Sequence, residues 1–350
     1  MPLTSLQTLG RSGLPVSPLT LGTMTMGNTE WGSPDEESAR ILNAYVDAGG
    51  NSLDTADVYS GGRSEELVGR VLAERGLRDR VVLATKYGFR SDGSNPLAGG
   101  SGRKNLFRAL EGSLRRLGTD YVDLYWLHVW DGVTPAEEVL QAFGDLVRAG
   151  RIRYYGLSDL PAWFATRVAT LAQAHGLPAP VALQVEYSLV ERTVEREHVP
   201  AARALGMGVV PWSPLAGGFL GGRYSRDAPP QEAGGRLSVA NPFGDSKFTD
   251  RNFDVLDVLR SVADELSRPP GQVALAWLAG RPGVGTVLVG ARTQEQLASN
   301  VASLDVELSA EQVRRLDEVS APESAFPYPI LEPDLLQAAV TGVPVRGWRG

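Results

Sequence analysis

Four ionisable residues in the first 130 positions, Asp54, Tyr59, Lys86 and His128, are of the types that together can move one proton onto a substrate oxygen. A phenol alone, with a pKa of about 10, is a poor donor at neutral pH. A cation about 4 Å from it, at an effective dielectric of about 20, favours the phenolate by up to about 4 kcal/mol, or roughly three pKa units before burial is discounted. Lys86 can supply that cation and make Tyr59 a working acid. Burial would in turn strip Lys86 of its proton, so an anion must hold the ammonium charged, and Asp54 can fill that role. His128 can hydrogen-bond the substrate oxygen and fix its orientation.

Taken singly, each residue has an ordinary reading: a strand-end cap, a loop aromatic, a snorkelling rim charge, a satisfied core histidine. Scarcity argues otherwise for Lys86, since only three of the 34 basic residues are lysines (Lys86, Lys104, Lys247) and His128 is one of three histidines. Arginine cannot replace a compact ammonium whose pKa adjusts to its surroundings. The joint appearance of the four residues on consecutive strand ends is what makes them a site.

The elements that must position them alternate along the chain. Strands are predicted at Leu19–Leu21, Asn51–Asp54, Val81–Thr85, Tyr121–Leu127, Ile152–Gly156, Val181–Val185, Gly208–Val210 and Thr286–Val289. Amphipathic helices are predicted between them. They include one capped by Ser64 and ended by Gly76, with Glu65 and Glu66 favouring its N-terminus, one over Lys104–Leu117, and one over Val194–Leu205. Eight strand-helix units without a composition break predict one (β/α)₈ barrel domain over residues 1–350 rather than an open sheet. The G-x-G-x-x-G fingerprint of a doubly wound fold is absent.

Thr4–Val16, with turn residues Gly10 to Gly13, is expected to form a hairpin closing the barrel bottom. The segments 88–103 and 217–249 are too long and Gly/Pro-rich to be mere connectors and should surround the catalytic mouth, which in such barrels is built by the loops that follow the strands. The tail 321–350 is expected either to join them over the site or to be loosely ordered.

Composition narrows the partners. With 43% hydrophobic and 21% charged residues the chain can bury a large core, and a net charge of −7 disfavours nucleic acid. There is no cysteine, no Asn-x-Ser/Thr triplet, no stretch of about 20 apolar residues and no basic-then-apolar leader, so a cytoplasmic protein without disulfides or membrane span is expected.

The stretch Leu53-Asp54-Thr55-Ala56-Asp57-Val58-Tyr59, followed by Gly61-Gly62-Arg63-Ser64-Glu65-Glu66, resembles the signature of aldo-keto reductases. Ala84-Thr85-Lys86, then Asp120 to His128 (DYVDLYWLH), then Gly156-Leu157-Ser158-Asp159 match further signatures of that family in order and spacing. The resemblance runs from about residue 6 to residue 318 and implies an NADPH-dependent carbonyl reductase on a (β/α)₈ barrel, with Asp54, Tyr59, Lys86 and His128 as its catalytic tetrad and no metal. Segment 88–103, Ser101-Gly102-Arg103-Lys104-Asn105 and Pro161-Ala162-Trp163 are similar to the aryl-alcohol dehydrogenase-like subgroup.

Matched motif by motif, the resemblance implies that Gly22, Thr23 and Met24 line the nicotinamide, that Ser158, Asp159 and Gln184 bind its carboxamide, and that Trp212, followed by Ser213, stacks on the ring. Asp159 stands where many relatives have Asn, and an ionised carboxylate accepts hydrogen bonds but cannot donate. Leu215, Gly217 and Gly218 would run along the pyrophosphate. Gly290 and Arg292 would close on the adenosine 2′-phosphate, with Gln296 and Asn300 near the adenine, and Arg292 argues for NADP because a guanidinium reads phosphate bidentately. Trp31, Phe89 and Trp130 are aromatics on mouth loops, expected with Tyr59 and His128 to shape a pocket for an aromatic or bulky small-molecule carbonyl. Two rivals stand beside this reading: a ketoreductase of a sugar or natural-product intermediate, and a nucleotide-sensing subunit resembling potassium-channel beta subunits.

Overall fold

Eight parallel strands form a ring in a computed structural model that describes residues 1–28, 31–227, 237, 247–343 and 345. The hairpin strands are β1 (Gln7–Thr8) and β2 (Pro15–Val16). The ring holds β3 (Leu19–Gly22), β4 (Ser52–Asp54), β5 (Val82–Tyr87), β6 (Val122–Leu127), β7 (Ile152–Ser158), β8 (Ala182–Glu186), β9 (Gly208–Trp212) and β10 (Val287–Val289). β10 pairs with β3, and the ring closes where Val209 N–H donates to Gly283 O at 2.9 Å and Gly285 N–H to Val209 O at 2.8 Å. This is the (β/α)₈ barrel that the alternation predicts, with helices α1 (Asp35–Asp47), α2 (Arg63–Arg75), α3 (Arg103–Leu117), α4 (Ala136–Arg148), α5 (Ala162–His175), α6 (His198–Leu205), α7 (Asp250–Leu266), α8 (Pro270–Ala279), α9 (Gln294–Val301) and α10 (Ala310–Val319) outside it.

Side chains alternate along each strand, so every second residue enters the barrel. At the bottom these are Val82, Ala84, Leu124, Trp126, Ala182 and Val210, and Leu9, Leu14 and Val16 of the hairpin pack onto them as a plug. Gly156 is required here: a Cβ on it would stand 2.3 Å from the Trp126 ring. The same alternation carries β5 from Ala84 up to Lys86 and β6 from Trp126 up to His128.

Several local expectations need correction. β5, β7 and β9 run two residues past their predicted ends, so Lys86, Ser158 and Trp212 lie on strands rather than beyond them. Ser64 is not the helix cap; Gly62, with φ +95°, occupies that position, and the Ser64 hydroxyl is taken by Thr23 Oγ1 (2.7 Å), Thr23 O and Thr55 Oγ1 (3.0 Å). The helix expected over Val194–Leu205 divides into a 3₁₀ turn at Thr193–Glu195 and α6. α10 was not predicted and is capped reciprocally by Ser309 and Gln312.

The segment 88–103 is described throughout, whereas positions 228–236 and 238–246 of the loop 217–249 lie outside the described residues, as do 344 and 346–350 of the tail. In the tail, α11 (Pro333–Val340) buries none of its residues, and Tyr328 donates to Glu197 with Arg196 over its ring. Among the described residues no helix is long and apolar enough to cross a membrane.

Candidate active site

Lys86 is fully buried on β5, and its ammonium reaches three acceptors: the Asp54 carboxylate in an ion pair, Thr55 O at 3.0 Å, and the Tyr59 hydroxyl at 3.1 Å. Asp54 ends β4 and is 2% exposed; its second oxygen accepts from Gln184 Nε2 at 3.1 Å. Tyr59 opens the 3₁₀ turn Tyr59–Gly62, whose Ser60, Gly61 and Gly62 all have positive φ, which is how two glycines in the motif bend the chain back over the mouth. His128 follows β6, its N–H bonded to Tyr87 O at 2.8 Å, and its ring meets Tyr59 edge-on at 5.8 Å. The structure therefore brings all four residues together.

Their protonation states follow from burial and charge. Burial opposes the Lys86 ammonium, but Asp54 and then Tyr59 outweigh it, and the pKa rises above that of a free lysine. Burial, then the Lys86 charge, push the His128 pKa well below its ordinary value, so the ring is neutral at pH 7. The lowered phenol pKa expected for Tyr59 is not found: burial raises it, Lys86 pulls it back, and the net shift is upward. Tyr59 therefore rests protonated, with the Lys86 ammonium beside its hydroxyl.

Two acidic neighbours escaped the sequence reading. Asp57, 3% exposed, has both carboxylate oxygens buried without a hydrogen-bond partner among the described residues, and burial, then the Glu65 charge, push its pKa up to about 7. Glu65 is fully buried and is not a solvated helix-start charge; it accepts from Thr85 Oγ1 and pairs with Arg116 at 2.6 Å. Nothing in the spacing of either residue signals this, because burial of an acid at a helix start depends on what faces it.

Beside this cluster, β7, β8 and β9 bring Ser158, Asp159, Gln184 and Trp212 together. Ser158 Oγ is buried with no hydrogen-bond partner among the described residues, and Trp212 Nε1 donates to Asp159 Oδ1 at 2.9 Å. Asp159 and Ser213 have positive φ, as do Ala216, Gly217 and Gly218 in the 3₁₀ turn after Leu215. A Cβ on Gly218 or Gly290 would meet nothing within 4 Å, so the backbone is bare at both positions. An orphaned hydroxyl, an amide and bare glycine backbone form a donor set that fits a nicotinamide nucleotide.

The other predicted contacts divide. Thr23 is committed to structure, donating to Asp54 O at 3.1 Å, with Gly22 paired to Asp54 in the sheet and Met24 half-buried beside it. Gln296 Oε1 accepts from Arg292 N–H at 2.8 Å and Asn300 Nδ2 donates to Gly290 O at 3.1 Å, so both hold the loop, while the Arg292 guanidinium has no ion pair among the described residues. Phe89 is 44% exposed and lies edge-on to His128 at 4.8 Å. Trp130 stacks on Phe164 of α5 at 4.6 Å and donates Nε1–H to Thr134 O of its own loop at 2.9 Å; Trp31 is half-buried, its N–H on Asn28 Oδ1.

A profile of the aldo/keto reductase family matches residues 18–321. The chain belongs to that family. This reductase is 38% identical over 321 residues to an uncharacterized oxidoreductase, YrpG, of Bacillus subtilis, covering 89% of the chain and 94% of the relative. It is 36% identical to a probable voltage-gated potassium channel subunit beta of Oryza sativa subsp. japonica (85% of the chain, 90% of the relative). It is 32% identical to aryl-alcohol dehydrogenase [NADP(+)] of Phanerodontia chrysosporium (90% and 86%). The protein is thus an oxidoreductase acting on a small molecule, in a family that uses nicotinamide cofactors.

Proposed function

We propose that this reductase uses NADPH to reduce an aldehyde or ketone, aromatic or bulky, to the alcohol, with Tyr59 donating the proton. The observation that carries the reading is the Lys86 ammonium placed between the Asp54 carboxylate and, at 3.1 Å, the Tyr59 hydroxyl. Ser158, Asp159, Gln184 and Trp212 would hold the nicotinamide end, and Arg292, without an ion pair among the described residues, would take the 2′-phosphate that distinguishes NADPH from NADH. Bound there, the nucleotide supplies hydride to the carbonyl carbon.

The remaining work belongs to the chain. Neutral His128 orients the carbonyl oxygen by a hydrogen bond, Tyr59 passes its proton to that oxygen as negative charge builds, and Lys86, held charged by Asp54, stabilises the phenolate left behind. Phe89 beside His128 offers an aromatic face to the substrate, and the aryl-alcohol dehydrogenase relative supports that class. The test is consumption of NADPH and of NADH against aromatic aldehydes, aliphatic aldehydes and bulky or hydroxylated ketones. Turnover preferring NADPH and aromatic or bulky carbonyls is expected; preference for hydroxylated ketones would move the substrate to a sugar or natural-product intermediate.

A nucleotide-sensing role is the second reading, favoured by the likeness to the potassium channel beta subunit. It requires nucleotide binding with negligible turnover on every carbonyl and a stable complex with a membrane protein in a pull-down.

A further inference from the structure

We propose that Asp159 selects between the redox states of the cofactor, strengthening binding of oxidised relative to reduced nicotinamide. The inference rests on the reading above that the nucleotide's nicotinamide end lies at Ser158, Gln184 and Trp212. Three carboxylates stand at strand ends around the mouth, Asp54 at the end of β4, Asp159 after β7 and Glu186 at the end of β8. Asp54 has Lys86 as its cation, and Glu186, at the end of β8, has Lys247 at 2.8 Å. Asp159 has no cation within ion-pair distance among the described residues; the one hydrogen bond to its side chain comes from the neutral indole of Trp212 at 2.9 Å.

That bond also fixes the carboxylate in place. Asp159 is half-buried at the end of β7 with φ +46°, and its Oδ1 is tied to the side chain proposed to stack on the ring. Burial pushes its pKa up to about 6, against the Trp212 bond and the Lys86 charge and with the Glu186 charge, so it is ionised at neutral pH. The mouth therefore contains an anchored negative charge with no cation in direct ion-pair contact among the described residues.

The two redox states differ at one place that matters electrostatically: the oxidised nicotinamide ring carries a positive charge and the reduced ring none, while both carry the same phosphates. A unit charge a few ångström from a carboxylate in a half-buried site changes an equilibrium by about tenfold or more. An asparagine would offer the same shape without that bias.

Asp159→Asn separates charge from structure, since Asn keeps an acceptor for Trp212 Nε1 and tolerates left-handed φ. NADP⁺ and NADPH are titrated at neutral pH into the wild-type protein and the variant, following quenching of tryptophan fluorescence. The expected result is a rise of about tenfold in the ratio of the NADP⁺ Kd to the NADPH Kd, carried by weaker NADP⁺ binding. An unchanged ratio, including equal weakening of both nucleotides, overturns the proposal and marks Asp159 as structural. Binding of neither nucleotide by the wild-type protein would instead remove the nicotinamide site itself, and the proposal with it.

Discussion

The two ends of one barrel interior are built by the same strands under opposite rules. At the bottom, β5, β6, β8 and β9 send in Val82, Ala84, Leu124, Trp126, Ala182 and Val210, sealed by the hairpin's Leu9, Leu14 and Val16. One step of the alternation higher, β5 and β8 send in Lys86 and Gln184, β4 sends in Asp54, and His128 follows β6. The bottom excludes water and asks only for volume, whereas the mouth carries charges that burial penalises unless each has a partner. Packing governs the bottom and charge pairing the mouth, and each end can be broken separately.

The largest effect is expected at the mouth. Lys86→Met should lower turnover by about 10³-fold, because the phenolate loses its cation, and should also cost a few kcal/mol of stability by leaving Asp54 buried and unpaired. Steady-state kinetics and urea unfolding read the two losses. At the bottom, Gly156→Val should cost about 3 kcal/mol by driving a side chain into Trp126, while the folded fraction keeps its KM. A loss of KM without a loss of stability would break the division between the two ends.

Asp57 lies between these extremes, being buried like the bottom yet ionisable like the mouth. Its pKa is about 7 folded against 3.8 unfolded, so the acid form is favoured by folding; that stability is complete below about pH 4 and is lost as pH rises through about 7. Three pKa units set a ceiling of about 4 kcal/mol. Asp57→Asn should therefore be more stable than wild type at pH 8, by about 2 kcal/mol, and show a flatter dependence of Tm on pH; thermal unfolding at pH 5 and pH 8 checks this. The smallest effect is expected from Phe89→Ala, which should raise KM for aromatic aldehydes about tenfold with kcat nearly unchanged.

The barrel was legible because its signals are local: period-two strands, helical spacing, and Gly76 ending α2 with φ +60°. The meeting of Asp54, Tyr59, Lys86 and His128 was legible because a strand end in this architecture has one direction to point. Ser64 was misread because its hydroxyl has long-range partners, Thr23 and Thr55, that no local rule reveals. α10 was legible in principle, since Ser309-Ala310-Glu311-Gln312 spells a capping box ahead of Val313 and Leu316. The burial of Asp57 and Glu65, and the stacking of Trp130 on Phe164 of α5, are tertiary facts that neither composition nor spacing encodes.

The central claim is that Tyr59 delivers the proton while Lys86 and Asp54 make that possible. Tyr59→Phe tests it most directly, because it removes one hydroxyl and leaves the nucleotide contacts in place. NADPH consumption and NADPH affinity are measured side by side for the variant and the wild type. The account predicts that turnover falls by about 10²–10⁴-fold while the NADPH Kd stays within about twofold; undiminished turnover in the variant would contradict it.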